Sequence, residues 1–215
     1  MATKDIEIKK DIRSEREKIA DATRQRLREQ GVYAFNVIGA PGAGKTSCLL
    51  RIVEGLPGIS CSVIEGDIQS DIDTEKLRAA GIRAVQINTG GECHLDGIQI
   101  KHALDLLPPE EPGLLFIENI GNLVCPAESN IGEEMKLLIV TVAEGADKPY
   151  KYPLAFEKAG GILLNKADLI PHVEFDMAYF MRGIRALNPE APVFEVSAKA
   201  GEGFSEVCAW IKALL

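Results

Sequence analysis

The chain has 215 residues, 46% of them apolar, and a formal net charge of −8, so it can bury one sizeable core and is ill suited to a general nucleic-acid or anionic-membrane surface. No apolar stretch approaches the roughly 18 to 20 residues that span a bilayer, and the charged start at 1–18 lacks the apolar centre of a secretory signal, so a cytoplasmic protein is expected. Five cysteines, odd in number and scattered, fit reduced thiols better than a disulfide framework.

Residues 5–30 intersperse Lys, Arg, Asp and Glu with few apolar positions, and Gly31 follows where a helix would stop. A mostly exposed helical segment over 1–30 is predicted, ahead of a nucleotide-binding domain over 31–215. An apolar run at 33–38 meets Gly39-Ala-Pro-Gly-Ala-Gly-Lys-Thr46, and a helical pattern follows at 45–54. Strand, glycine-rich turn and helix start are the context of a phosphate-binding loop; an unliganded glycine turn seldom carries the full spacing. Gly39, Gly42 and Gly44 allow backbone conformations and close approaches that a Cβ obstructs, turning N–H groups toward phosphates at a helix N-terminus. Pro41, Ala43 and Ser47 complete the loop. Lys45 is expected on the β- and γ-phosphates, and the Thr46 hydroxyl on Mg2+.

A strand at 61–65 ends in Glu65-Gly66-Asp67, with Asp71 and Asp73 beyond it; a helix at 74–80 and a strand at 84–88 follow. The strand at 114–117 ends in Glu118-Asn119-Ile120-Gly121, a carboxylate at the strand tip and a glycine three residues later. Nucleotide hydrolases keep an acid near Mg2+ and a backbone N–H near the γ-phosphate at such a place. Asp67 and Glu118 are therefore candidates for the Mg2+ shell, directly or through water, Gly121 for the phosphate N–H, and Asp71 for orienting the attacking water. The same acids could simply cap or solvate loops. No glutamine follows Gly121, so slow intrinsic hydrolysis is expected.

Two loops carry soft metal ligands: Cys93-His94, after Thr89-Gly-Gly91 and before a helix at 96–107, and Cys125 in Asn122-Leu-Val-Cys-Pro126. Both follow strands and should share one edge of the sheet. Thiolates and an imidazole suit Zn2+ or Ni2+, with water or a second subunit filling the remaining positions. Buried apolar cysteines and a helix-capping His94 would account for the same spacing. Cys48, Cys61 and Cys208 fall in apolar patterns and read as core. His102 reads as an exposed helical residue, and His172 has no companion.

Between 117 and 137 the helical pattern lapses, which leaves room for an antiparallel neighbour. A strand at 137–142, a helix at 153–158 and a strand at 161–164 then lead into Asn165-Lys-Ala-Asp168. Asp168 can accept from the N1–H and 2-amino group of guanine; adenine offers neither, and a carboxylate left unpaired should penalise ATP by a few kcal/mol. Asn165 and Lys166 would brace the loop and cover the base. A helix at 175–187 and a strand at 193–196 precede Ser197-Ala-Lys199, where the Ala198 N–H would reach the guanine oxygen; a helix at 204–214 closes the chain. The alternation predicts an α/β fold, a P-loop nucleotide hydrolase with a predominantly parallel, twisted sheet of about seven strands and helices on both faces.

These motifs, in order, resemble the HypB family of nickel-insertion GTPases of hydrogenase maturation. The likeness covers residues 31–215 through the segments already quoted, together with Gly91-Glu-Cys-His-Leu-Asp96 and Lys148-Pro-Tyr-Lys-Tyr-Pro153. It implies the SIMIBI class of P-loop GTPases, the signal-recognition and MinD-like group, in which GTP drives homodimerisation. It also implies that Cys93, His94 and Cys125 form a Ni2+ or Zn2+ site shared across the dimer, and that Lys148 reaches nucleotide across the interface. The implied partners are a hydrogenase large-subunit precursor and other maturation proteins, with no nucleic acid or membrane. Many relatives carry an N-terminal cysteine cluster or histidine-rich stretch, whereas 1–30 here has neither residue type, which argues against nickel storage. The urease-maturation sisters place Cys-Pro-His where this chain has Cys93-His94, which favours a hydrogenase client. A regulatory or other metallocofactor-chaperone GTPase with a structural metal site is the alternative.

Overall fold

Along β1 (Val32–Ile38), Phe35 and Val37 face one core while Ala34 and Ile38 face the other, the period-two alternation of a strand covered on both sides. The same split recurs in β4 (Gly113–Glu118), β5 (Met135–Thr141) and β6 (Ala159–Asn165), where Phe116, Ile139 and Leu163 oppose Ile117, Val140 and Leu164. The computed structural model describes residues 2–67 and 71–215, with side chains from residue 15 onward. Among the described residues these strands join β2 (Cys61–Asp67), β3 (Arg83–Asn88) and β7 (Val193–Glu195) in one seven-stranded sheet of order β3-β2-β4-β1-β5-β6-β7. Every pairing is parallel.

Helices cover both faces. On one lie α2 (Lys45–Glu54), α3 (Ile72–Ala79) and α9 (Phe204–Lys212), which bury Leu49, Leu77 and Val207 with Phe116. On the other lie α1 (Ala2–Glu29), α4 (Gly97–Leu106), α7 (Pro153–Lys158) and α8 (Met177–Leu187). A reciprocal capping box starts α4: Asp96 accepts from the Gln99 N–H, and the Gln99 side chain accepts from the Asp96 N–H. The helix α1 is mostly exposed from residue 15 on, but Ala20, Thr23 and Leu27 are buried against α4 and β1. No helix among the described residues is long and apolar enough to cross a membrane.

The stretch after β4 corrects the sequence reading. No antiparallel strand forms there; β5 returns parallel to β1, pairing Phe35 with Met135 through Ile38 with Leu138. The connection carries only a four-residue helix, α5 (Cys125–Glu128), too short to show a helical period. Because β5 buries side chains on both faces, it is driven to an interior position, which a crossover connection supplies. Another four-residue helix, α6 (Lys148–Lys151), was unreadable for the same reason. The order reverses around β1, with β4 and β2 on one side and β5 and β6 on the other. Open parallel sheets bind ligands outside the carboxyl ends of their strands at such a reversal.

Candidate nucleotide and metal site

The loop between β1 and α2 is shaped by its glycines. Gly44 caps α2 in the left-handed region at φ +89°, and a Cβ there would lie 2.5 Å from Asn165 Nδ2. Asn165 uses that proximity: its Nδ2 donates to the Ala43 carbonyl at 2.9 Å, while its Oδ1 accepts from the Ala198 N–H at 3.1 Å. Lys166, itself left-handed at φ 60°, donates to the Gly42 carbonyl at 2.8 Å. The Ser197 hydroxyl donates to Asp168 at 2.6 Å. Three segments distant in sequence are thus tied around a cavity of about 450 Å³ lined by Gly44, Ser47, Asn165, Lys166, Asp168 and Lys199. Asp168 retains acceptor sites beyond Ser197, so the cavity fits a flat base with adjacent N–H donors.

Beside the start of α2 the Thr46 hydroxyl donates to Glu118 Oε1 at 2.9 Å, so two predicted Mg2+ ligands are in contact and buried. Glu118 Oε2 is buried with no hydrogen-bond partner among the described residues. Glu65, whose Cα pairs with that of Glu118 across β2 and β4, accepts from Thr74 at 3.1 Å. Both carboxyls are pushed up to about 7. Burial is the first cause in each; for Glu118 it outweighs the pull of Lys45 and Thr46, and for Glu65 the neighbouring Glu118 adds to it. A buried acid pair with an orphaned oxygen beside a hydroxyl fits a hard divalent cation such as Mg2+. Asp67 is half-buried at the end of β2, whereas Asp71 is exposed at the N-cap of α3. Gly121, in the loop after β4, presses on the phosphate loop, where a Cβ would sit 2.8–2.9 Å from Pro41 atoms.

Glu65 was missed as a site residue, although a carboxylate inside an apolar strand was visible as a signal. Glu144 was missed too: both its oxygens are buried and make no close hydrogen bond among the described residues, and burial raises its pKa against the pull of Lys148, Lys166, nearby Thr141 and Lys45. Lys148 stands with Nζ 5.4 Å from the centre of the Tyr152 ring.

The loop carrying Cys93 and His94 crosses the end of β2. Gly66 makes this possible, since a Cβ there would meet Leu95 at 2.8 Å, and Leu95 N–H donates to Asn119 Oδ1 at 3.0 Å. The crossing brings ligand atoms of Cys93, His94 and Cys125 within 4.8 Å of one another. Cys93 Sγ is 3.3 Å from His94 Nδ1, and hydrogen bonding with Cys125 is the main influence raising the Cys93 pKa. Two thiols and an imidazole fit Ni2+ or Zn2+, and a cavity of about 460 Å³ lined by Arg16, His94, Cys125 and Glu128 leaves room for further ligands. The other cysteines are elsewhere: burial pushes Cys48 up to about 12 and Cys61 to about 11, and Cys208 packs in the core. His102 and His172 are exposed and outside the cluster.

Sheet order, phosphate loop and base-side loops define a P-loop nucleotide hydrolase of the SIMIBI class, here with a Cys-His-Cys cluster joined to the loop after β4. The family model "CobW/HypB/UreG, nucleotide-binding domain" matches residues 33–195. The hydrogenase maturation factor HypB of Rhizobium leguminosarum bv. viciae is 45% identical over 208 residues, 96% of this chain and 70% of that protein. The crystal structure of HypB from Helicobacter pylori in complex with nickel superposes with a TM-score of 0.88 at 34% identity, covering 93% of this chain and 94% of that one. HypB from Archaeoglobus fulgidus gives 0.86 at 36%, covering 94% and 98%. The chain belongs to the HypB family.

Proposed function

We propose that this chain is a cytoplasmic, GTP-hydrolysing metallochaperone that couples GTP-dependent homodimerisation to nickel insertion into a hydrogenase precursor, with 31–215 as its GTPase domain. One observation carries the reading: Glu118 on the Mg2+ side ends β4 and Cys125 in the metal cluster opens α5, at the two ends of one short connection pinned against the phosphate loop at Gly121. The nickel-bound Helicobacter pylori relative supports nickel as cargo.

Lys45 and the loop N–H groups hold the phosphates and Asp168 selects guanine; the Ala198 N–H, expected on the guanine oxygen, instead donates to Asn165, which with Lys166 keeps the two sub-sites in register. Thr46, Glu118 and Asp67 would hold Mg2+, which when bound neutralises phosphate charge. Lys148 is assigned to the nucleotide of a second copy, with Asp71 orienting the attacking water. Cys93, His94 and Cys125 take Ni2+ or Zn2+ after giving up their protons, so metal capture strengthens as pH rises. Reciprocity then requires metal to change nucleotide or dimer affinity by the same factor as nucleotide changes metal affinity, typically about 1–3 kcal/mol.

The test is oligomeric mass and bound nickel, measured on one sample with GDP and with a nonhydrolysable GTP analogue. The analogue should give a dimer whose nickel content differs from the GDP form. Cys93→Ala and Cys125→Ala should lose the metal, and Lys148→Ala should weaken the dimer. Equal metal binding in every nucleotide state would instead favour a regulatory GTPase with a structural metal site.

A further inference from the structure

Asn122 joins the phosphate loop to both metal-ligand loops, and we propose that it is the positioning residue through which nucleotide state alters metal affinity. This rests on the nucleotide-gated reading above and names the residue that carries the gate. The Asn122 backbone N–H donates to the Gly39 carbonyl at 3.0 Å, an isolated antiparallel bridge on the first glycine of the phosphate loop. Its side-chain Oδ1 accepts from the Val124 N–H at 2.8 Å, one residue before Cys125, and its Nδ2 donates to the Cys93 carbonyl at 3.3 Å. The amide has one workable orientation, because a backbone N–H only donates and a carbonyl only accepts. A single residue therefore spans all three loops.

Its neighbours divide into fixed and movable ones. Asn119 is fully buried, with Oδ1 accepting from the Leu95 and Ile120 N–H groups at 3.0 Å each and Nδ2 donating to Asn36 at 3.1 Å. Water cannot replace those bonds, so Leu95 stays anchored to the sheet. Asn122 is only half-buried, and its bond to the Cys93 carbonyl is exposed, so water replaces it readily when the backbone shifts. Gly121, immediately before it, lies against Pro41 without room for a Cβ; a phosphate group taken up beside the Gly121 N–H must act on the backbone that carries Asn122. Movement of Asn122 then changes the spacing of Cys93 and Cys125 while Leu95 holds. Nucleotide thereby alters the geometry of the thiol pair, not its identity.

The experiment titrates nickel into the full chain with GDP or a nonhydrolysable GTP analogue, reading dissociation constants and the thiolate-to-nickel charge-transfer band. Asn122→Ala removes both side-chain bonds. Asn122→Asp keeps the acceptor for Val124 but sets an oxygen against the Cys93 carbonyl. Wild-type nickel affinity should differ between nucleotide states by a factor of about 5 or more, falling to about twofold or less in both variants, which still bind nickel and GDP. The charge-transfer band should become independent of nucleotide in the variants. Variants that keep the wild-type ratio overturn the role of Asn122 alone; variants that bind nickel in neither state make it purely structural and overturn the role as well. A wild-type ratio of one removes the gated reading, and this proposal with it.

Discussion

In the proposed function Asp168 carries the choice of base. It is half-buried, is held by Ser197, and lines the cavity that faces the phosphate loop. Each hydrogen bond to a charged acceptor contributes about 1.5–3 kcal/mol, so Asp168→Asn, which loses acceptor capacity toward two base donors, should weaken GDP on the order of 10²-fold. Melting temperature should hardly move; an equal loss of ADP affinity would dissociate Asp168 from base selection. Glu65 and Glu118 make a second prediction. They keep protons in the fold up to about 7, against 4.5 for an unperturbed glutamic acid. Between those values these two groups bind more protons in the folded chain than in the unfolded one, so their contribution to stability is fully present below pH 4.5 and is lost as pH rises through about 7. The nucleotide-free, metal-free chain should therefore melt at a lower temperature at pH 8 than at pH 5.5. Glu65→Gln should flatten the slope, and a level wild-type profile would refute the protonated pair.

The helix α1 is charged along most of its length, yet Leu27 is 2% exposed and packs with Val32, Leu115 and Ile131, and Arg16 pairs with Asp96 at 3.3 Å. It is a covering layer of this part of the sheet. Leu27→Ala should cost about 2–5 kcal/mol, the range for deleting buried leucine atoms and leaving a cavity. Chemical denaturation checks this: a change below about 0.5 kcal/mol, usual for surface substitutions, would make α1 a loosely attached appendage. The short α5 matters in another way. Pro126 stands at its beginning and fits a first helical turn, which places Cys125 at the junction of the loop after β4 and the helix.

For the molecule as a whole, ligand linkage is the cleanest measure. The base-side and phosphate loops are held together by Asn165 and Lys166, so under the proposed function nucleotide should bind only the folded arrangement. GDP at about 100 times its dissociation constant should add about 2.7 kcal/mol. Melting should rise by roughly 5–10 °C for a domain of this size, and ADP at the same concentration should raise it far less. Equal shifts from both nucleotides would place the discriminating contacts elsewhere than Asp168.

The features legible in the sequence were those encoded over a few consecutive residues. The apolar runs marked every strand, because both faces of a covered strand must be apolar. The glycine spacing of 39–46 and the tetrad 165–168 marked two loops that the fold brings together around one cavity, because phosphate and base contacts would demand particular backbone freedoms and donor sets at fixed offsets. The fold supplied the meetings between remote groups: Glu65 beside Glu118, Lys166 on Gly42, Leu95 passing over Gly66, and Cys125 beside Cys93 and His94. Strand order governs such meetings, and order depends on which strands must bury both faces at once, a property of the assembled sheet that no local window contains. The same cause defeated the antiparallel expectation for 117–137, since β5 takes its interior place from the two cores it joins. Local chemistry thus announced the ligands, and long-range packing decided which side chains could meet them together.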